Sequence, residues 1–291
     1  VQGRGEVGAA IVGKLMTCGA ARVHHGAMPT RLPAVAGSFY PSDPAALRAE
    51  VDRYLAPGPA RPAFGVVVPH AGYTYSGPTA GIVFGSVEVP DVVIVMGPNH
   101  TGSGPALSIY PGGTWKTPAG EIVVDETLAA ELVRLDPELV ADVEAHEEEH
   151  GIEVEVPFIL RRNSRARLVA IVVGTQDFAA MERLGAAVTE LVRPKAPGAL
   201  VVASSDMNHF ENDATTRARD RKAVEKLVKM DERGLDEVCR RERITMCGRA
   251  PAVAMLVAAK KLGAKRAEML DYRTSADAGG DRARCVGYLG L

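Results

Sequence analysis

Four short apolar runs constrain this chain more than any other feature. They are Phe64-Gly65-Val66-Val67-Val68, Val92-Val93-Ile94-Val95-Met96, Leu168-Val169-Ala170-Ile171-Val172-Val173 and Ala199-Leu200-Val201-Val202-Ala203. Each is rich in β-branched residues, is bounded by Gly or Pro, and shows no apolar/polar alternation. A strand with one wet face alternates; one without alternation is covered on both faces, as in a parallel sheet between helical layers. Helical periodicity lies between and beside the runs. Ser42 is a suitable N-cap for a helix with the apolar stripe Ala45, Leu47, Val51, Tyr54 and Leu55. Further helices are predicted over 126–135, 152–162, 179–192, 215–229 and 250–262. This alternation predicts the fold class α/β: a single-domain α/β sandwich with a largely parallel or mixed central sheet.

Composition narrows the function classes. The chain has 291 residues, 46% hydrophobic and 24% charged, with a formal net charge of -2, enough for a full core and no general attraction to nucleic acid or anionic membrane. The basic cluster Arg240-Arg241-Glu242-Arg243 reads as solvated surface. No apolar run reaches the length of about 18 residues that a membrane span requires. Cys18, Cys239, Cys247 and Cys285 form no C-x-x-C pair, which argues against a disulfide framework or an all-cysteine zinc site. Residues 1–30 are rich in Gly and Ala and lack periodicity; they read as a flexible N-terminal extension, or as translated sequence ahead of a true start at Met28. Their apolar stretch, interrupted by Glu6 and Lys14, is too short for a secretory signal, so a cytoplasmic location is expected. His24-His25 within them reads as a surface pair.

In open α/β sheets, ligands bind in the crevice beyond the carboxyl ends of the strands. His70, His100, Asp206 and His209 each fall just after such an end, and four polar groups converging on one edge predict a shared site. His70 and His100 form the best donor pair, because each follows a Gly- or Pro-containing turn that can fix a ring, and neutral imidazole is the commonest protein metal ligand. Cys247 lies in Thr245-Met246-Cys247-Gly248-Arg249-Ala250-Pro251, directly before a predicted helix whose dipole favours a thiolate. The same thiol also reads as a small buried hydrophobe. Asp206 and His209 read either as groups that orient a ligand imidazole and move protons, or as a loop cap and a core histidine. Ser204-Ser205 lacks the G-x-S-x-G elbow of a hydrolase nucleophile. Gly97 to Gly104 fits neither phosphate-binding glycine motif, which counts against nucleotide binding.

His146-Glu147-Glu148-Glu149-His150 satisfies the H-E-x-x-H pattern of zinc peptidases. That chemistry needs both histidines on one helical face. Here Gly151 interrupts the helix directly after His150, and three glutamates crowd like charges beside the supposed zinc. The run reads as a solvated loop, and peptidase activity is not expected.

Six ordered motifs carry a resemblance that covers residues 31–291. Ala36-Gly37-Ser38-Phe39-Tyr40-Pro41, Pro69-His70-Ala71-Gly72-Tyr73-Thr74-Tyr75-Ser76-Gly77, Gly97-Pro98-Asn99-His100 and Glu149-His150-Gly151-Ile152-Glu153 resemble successive motifs of the MEMO family. Ser204-Ser205-Asp206-Met207-Asn208-His209 and Cys247-Gly248-Arg249-Ala250-Pro251 continue the match in order. The microbial branch is known as AmmeMemoRadiSam system protein B, which implies a functional link to AMMECR1-like and radical SAM proteins. The resemblance implies a fold like that of class III extradiol ring-cleavage dioxygenases, with His70, His100 and Cys247 as metal ligands. It places His150, Asp206 and His209 in the same cleft as the catalytic set, and leaves His146 without a counterpart, at the surface. The ring-cleaving enzymes use two histidines and one carboxylate on Fe(II). A thiolate in the third place favours Cu, Zn or a different use of iron, and argues against ring cleavage. The expectation is one metal ion, Fe or Cu first and Zn third, in an oxidoreductase acting on an unidentified small molecule. The alternative is a non-catalytic binding module that uses the same cleft for a peptide, protein or small-molecule partner.

Overall fold

The four apolar runs form the middle of the main sheet. The computed structural model describes residues 29–55, 57–195 and 198–291. In chain order the strands are β1 (Thr30–Arg31), β2 (Gly65–Val68), β3 (Val92–Pro98), β4 (Leu107–Ile109), β5 (Gly113–Thr117), β6 (Gly120–Val124), β7 (Val140–Ala141), β8 (Arg167–Val173), β9 (Ala199–Ser204), β10 (Asp206–Glu211), β11 (Asp271–Thr274) and β12 (Cys285–Gly290). The helices are α1 (Pro44–Tyr54), α2 (Tyr73–Ser86), α3 (Glu126–Leu135), α4 (Glu144–Glu147), α5 (Val156–Arg162), α6 (Phe178–Val192), α7 (Asp213–Val228), α8 (Glu232–Glu242) and α9 (Arg249–Leu262).

The main sheet runs β1-β5-β6-β8-β3-β9-β2, with β4 and β7 attached beside β8. Strands β6, β8, β3, β9 and β2 are parallel to their neighbours, while β5 against β6 and β4 against β8 are antiparallel. A small antiparallel sheet, β10-β12-β11, packs beside it. The expected α/β sandwich with a largely parallel, mixed sheet is therefore the observed architecture. Alternate residues of one strand feed two separate cores: Val92, Ile94 and Met96 join the core beneath α3, α6 and α9, whereas Val93 and Val95 join the one beneath α1, α2 and α5. Burial on both faces explains why the sequence pattern of these strands is unbroken. Among the described residues, no helix is long and apolar enough to cross a membrane.

Several local expectations are corrected. Asp43, not Ser42, caps α1: its Oδ1 accepts the Ala46 amide at 2.8 Å, and Pro44 opens the helix. The helix predicted over 152–162 is a 3-10 turn, Glu153–Glu155, followed by α5. Residues 206–209 are not a loop, because β10 pairs with β12 there through two register shifts. Helix α2 escapes the periodicity reading because Gly77, Pro78, Gly81 and Gly85 look like breakers. Gly77 and Gly81 are instead contact surface for Tyr54, and a Cβ at Gly81 would lie 2.3 Å from the Tyr54 carbonyl oxygen. Helix α8 was hidden by its charged composition. The sheet already includes Thr30 and Arg31, paired with Thr114 and Trp115. Cys18, His24-His25 and Met28 lie outside the described residues.

The α1–α2 contact gives a direct test. Alanine is better than glycine in a free helix by about 1 kcal/mol, but here overpacking against Tyr54 should dominate. Gly81→Ala is expected to lower the unfolding free energy by about 1–3 kcal/mol in urea titrations; a stabilised variant would contradict the close contact.

Candidate metal centre

Three histidines reach one point from three segments. His70 follows β2, His100 follows β3, and His150 lies on the turn between α4 and the 3-10 turn at Glu153. One ligand nitrogen from each lies within 4.8 Å of those of the other two, so the group could hold a metal ion. The rings of His100 and His150 stack at 4.5 Å, and His70 stands edge-on to both. Phe39 covers the outer side of His150, with ring centroids 4.7 Å apart.

Hydrogen bonds commit one nitrogen of two rings. Ser204 Oγ donates to the Gly151 carbonyl at 2.5 Å, so its contact with His70 Nδ1 at 2.7 Å is one in which the ring donates. That assigns the proton to Nδ1 and turns the Nε2 lone pair toward the Cys247 thiol. The Glu149 carboxylate accepts from His100 Nδ1 at 2.8 Å and from the His100 amide at 2.6 Å, which frees Nε2. A carboxylate behind an imidazole is the common outer support of a metal-ligating histidine.

The electrostatics follow from burial and from these partners. Burial, with the other histidines, pulls His70 well below the usual imidazole range. Burial also pulls His100 down, but the hydrogen bond and charge of Glu149, helped by Asp206, raise it overall. Burial pushes Glu149 up, and the contacts with His100 and Gly151 more than offset that, leaving it below its ordinary value. Burial and the His100 charge lower His150. Neutral His70 and His150 suit metal binding.

Cys247 approaches His70 from the start of α9, but it stands outside the three-histidine group. Its Sγ lies 3.2 Å from His70 Nε2 and 3.3 Å from the amide of Asp206. The approach requires Gly248, because a Cβ there would lie 2.2 Å from the Ser204 carbonyl oxygen. The thiolate expected from the helix N-terminus is not favoured by the surrounding residues: burial and the charge of Asp206 push the thiol up. A coordinated cation reverses that order. The Asp206 carboxylate accepts the His70 amide at 2.8 Å, so it fixes the backbone of that loop rather than a ring; burial raises it to about 7. His209 donates Nδ1–H to the Thr245 carbonyl at 2.9 Å, which leaves its Nε2 free, and burial lowers its pKa. It stands outside the three-histidine group. The next residue, Phe210, has φ +61° and is 63% exposed, at a bulge of β10.

A family model described as Memo-like protein matches residues 31–291. The chain belongs to the Memo family. Curated Memo relatives include MEMO1 family proteins from Sulfolobus acidocaldarius, 40% identical over 90% of this chain and 98% of its relative, and Sulfurisphaera tokodaii, 39% identical with the same coverage. The relative from Methanopyrus kandleri is 36% identical over 90% of this chain. The Memo chain is also similar in fold to the crystal structure of an uncharacterized protein from Escherichia coli K12, with TM-score 0.51 and 13% identity, covering 77% of this chain and 98% of that one.

Of the residues named from the sequence, His70, His100 and His150 form the group, Asp206, His209 and Cys247 stand outside it, and no site reading included Glu149. The signal was its place beside His150 in a recognised motif; the run of three glutamates disguised it. Glu147 and Glu148 are exposed, whereas Glu149 is 1% exposed. His146 is the plainest correction. Expected at the surface, it is fully buried, with Nε2 2.9 Å from Ser108 Oγ and its ring packed edge-on to Tyr110 and Trp115. The short α4 ends at Glu147, before His150, and packs His146 against Tyr110 and Trp115, so the two do not share a zinc helix.

Burial, reinforced by the Arg31 charge, lowers the His146 pKa from 6.5 to about 3. Between those values the unfolded chain binds more protons, so stability falls as pH drops from about 6.5 toward 3. His146→Gln should make that decline shallower in urea unfolding of the metal-free protein. A slope equal to wild type would remove His146 as its source.

Proposed function

We propose that this Memo-family chain is a metal-dependent oxidoreductase whose single ion is held by the Nε2 atoms of His70 and His100. The supporting observation is the convergence of one nitrogen from each of three imidazoles within 4.8 Å, two of the rings with Nδ1 already engaged. His150 and Cys247 are the two candidates for a third donor. Imidazole with an adjacent thiol fits Fe, Cu or Zn, with Fe and Cu ahead for redox work. Bound there, such an ion would supply a Lewis-acid and electron-transfer centre. The protein's own groups would manage protons and orientation. Glu149 and Ser204 hold the ligand rings, His209 Nε2 is free to accept or return a proton, and Asp206, raised to about 7, can exchange one near neutrality. The substrate is a small molecule entering between these groups.

A second reading, a non-catalytic binding module, draws on Phe210. An aromatic ring held out to solvent by a left-handed backbone, beside His209 and under the Arg284 guanidinium at 5.3 Å, is suited to contact a partner. Partner binding that survives the double variant His70→Ala, His100→Ala would favour that module; metal-dependent turnover of a small molecule would exclude it.

Elemental analysis of anaerobically purified protein is the primary test. Stoichiometric Fe, Cu or Zn is expected, lost in His70→Ala and in His100→Ala and unchanged in His146→Ala. A Co2+-loaded sample would show thiolate charge-transfer absorption, abolished in Cys247→Ala, only where Cys247 is the third donor. Absence of all three metals from active, folded protein would sink the proposal.

A further inference from the structure

We infer that Arg31, on the first strand and outside every metal-bearing loop, is the positioning residue for two of the three histidines; this rests on the metal-binding reading above. Arg31 is 3% exposed, and its guanidinium lies over the Trp115 ring at 4.3 Å. Its donors span the segment that enters the metal centre. Nε donates to the His146 carbonyl at 2.7 Å, Nη2 to the Glu149 carbonyl at 2.7 Å, and Nη1 to Glu153 Oε2 at 2.7 Å. Residues 148–152, between α4 and the 3-10 turn, lie outside any helix or strand. They include His150 itself and Glu149, the carboxylate that orients His100. Their backbone is therefore placed from outside, by a fork of fixed planar geometry.

Glu153 makes that fork rigid. Fully buried, it also accepts the amides of Ala34 at 2.8 Å and Val35 at 3.1 Å, and the Tyr40 hydroxyl at short range. Both charges are thus neutralised and hydrogen-bonded, the condition under which a buried ion pair persists. The result is a strut from β1 and β5 to the histidine turn. Lysine cannot reproduce it, because one ammonium cannot span three acceptors set along eight residues of chain.

The test uses the full chain, stripped of metal and titrated with Zn2+ against a competing chelator, well below each variant's melting temperature. Arg31→Lys is expected to fold and to bind Zn2+ about 10–100-fold more weakly, the usual cost of losing an outer support of a metal ligand. Arg183→Met, which removes an equally close partner of buried Asp136 on the opposite helical layer, should lower the melting temperature without changing affinity. Because Arg31 acts through the His150 segment, its loss combined with His150→Ala should fall short of the product of the two single losses, whereas combined with His70→Ala it should approach that product. Wild-type affinity in folded Arg31→Lys, or full multiplication with His150→Ala, overturns the inference. If Arg31→Lys does not fold, Glu153→Gln decides by the same criteria: weaker Zn2+ binding supports the strut and unchanged binding overturns it. Failure of the wild-type protein to bind Zn2+, Fe2+ or Cu+ would instead overturn the metal-centre reading. The single tryptophan, Trp115, reports on the strut directly, and its emission should shift in Arg31→Lys but not in Arg183→Met.

Discussion

The Glu149 carboxylate accepts the amide and Nδ1 of His100 and the amide of Gly151, almost out of contact with water. An ionised carboxylate in such a place is tolerated only when its lone pairs are filled by donors. Filling them fixes three things together: the turn that carries His150, the tautomer of His100, and the start of the loop that follows β3. Ser204 plays the smaller, neutral counterpart behind His70, joining that ring to the Gly151 carbonyl. The three imidazoles thus face one another because their supports share residues 149–151.

That arrangement needs a sheet that leaves polar groups nowhere else to go. Strands β2, β3, β8 and β9 are covered on both faces by apolar cores, so polar side chains concentrate where the strands stop. The carboxyl ends of β2, β3 and β9 supply His70, His100 and Ser204, and the loop after β8 uses Gln176 to bind Arg240 and Arg249 of α8 and α9. Those contacts anchor the start of α9, and Gly248 lets Cys247 close on His70. The site is an edge property of the sheet, held at its rim by helix starts.

Much of this was legible in the sequence. Uninterrupted β-branched runs gave away double-sided burial, and the residues following each run marked the edge at which His70 and His100 meet. The misread elements share one cause. Gly77 and Gly81 look like helix breakers until Tyr54 is packed against them; α8 looks like surface until Leu235, Val238 and Cys239 turn inward. His146 looks exposed among glutamates until α4 aims it at Trp115. Arg31 gave no signal, since a lone arginine at the head of a domain carries none without its three acceptors.

Composition and periodicity, which act locally along the chain, were sufficient to determine the sandwich, its buried strands and the edge where the chemistry collects. Only the tertiary structure decided that His150 brings a ligand nitrogen to those of His70 and His100, that Glu149 rather than Asp206 supports a ring, and that His146 is buried against Trp115. The physical reason is that hydrogen-bond satisfaction of buried polar groups depends on partners distant in sequence. Arg31 and Glu153 are 122 residues apart, and His70 and Ser204 are 134 apart.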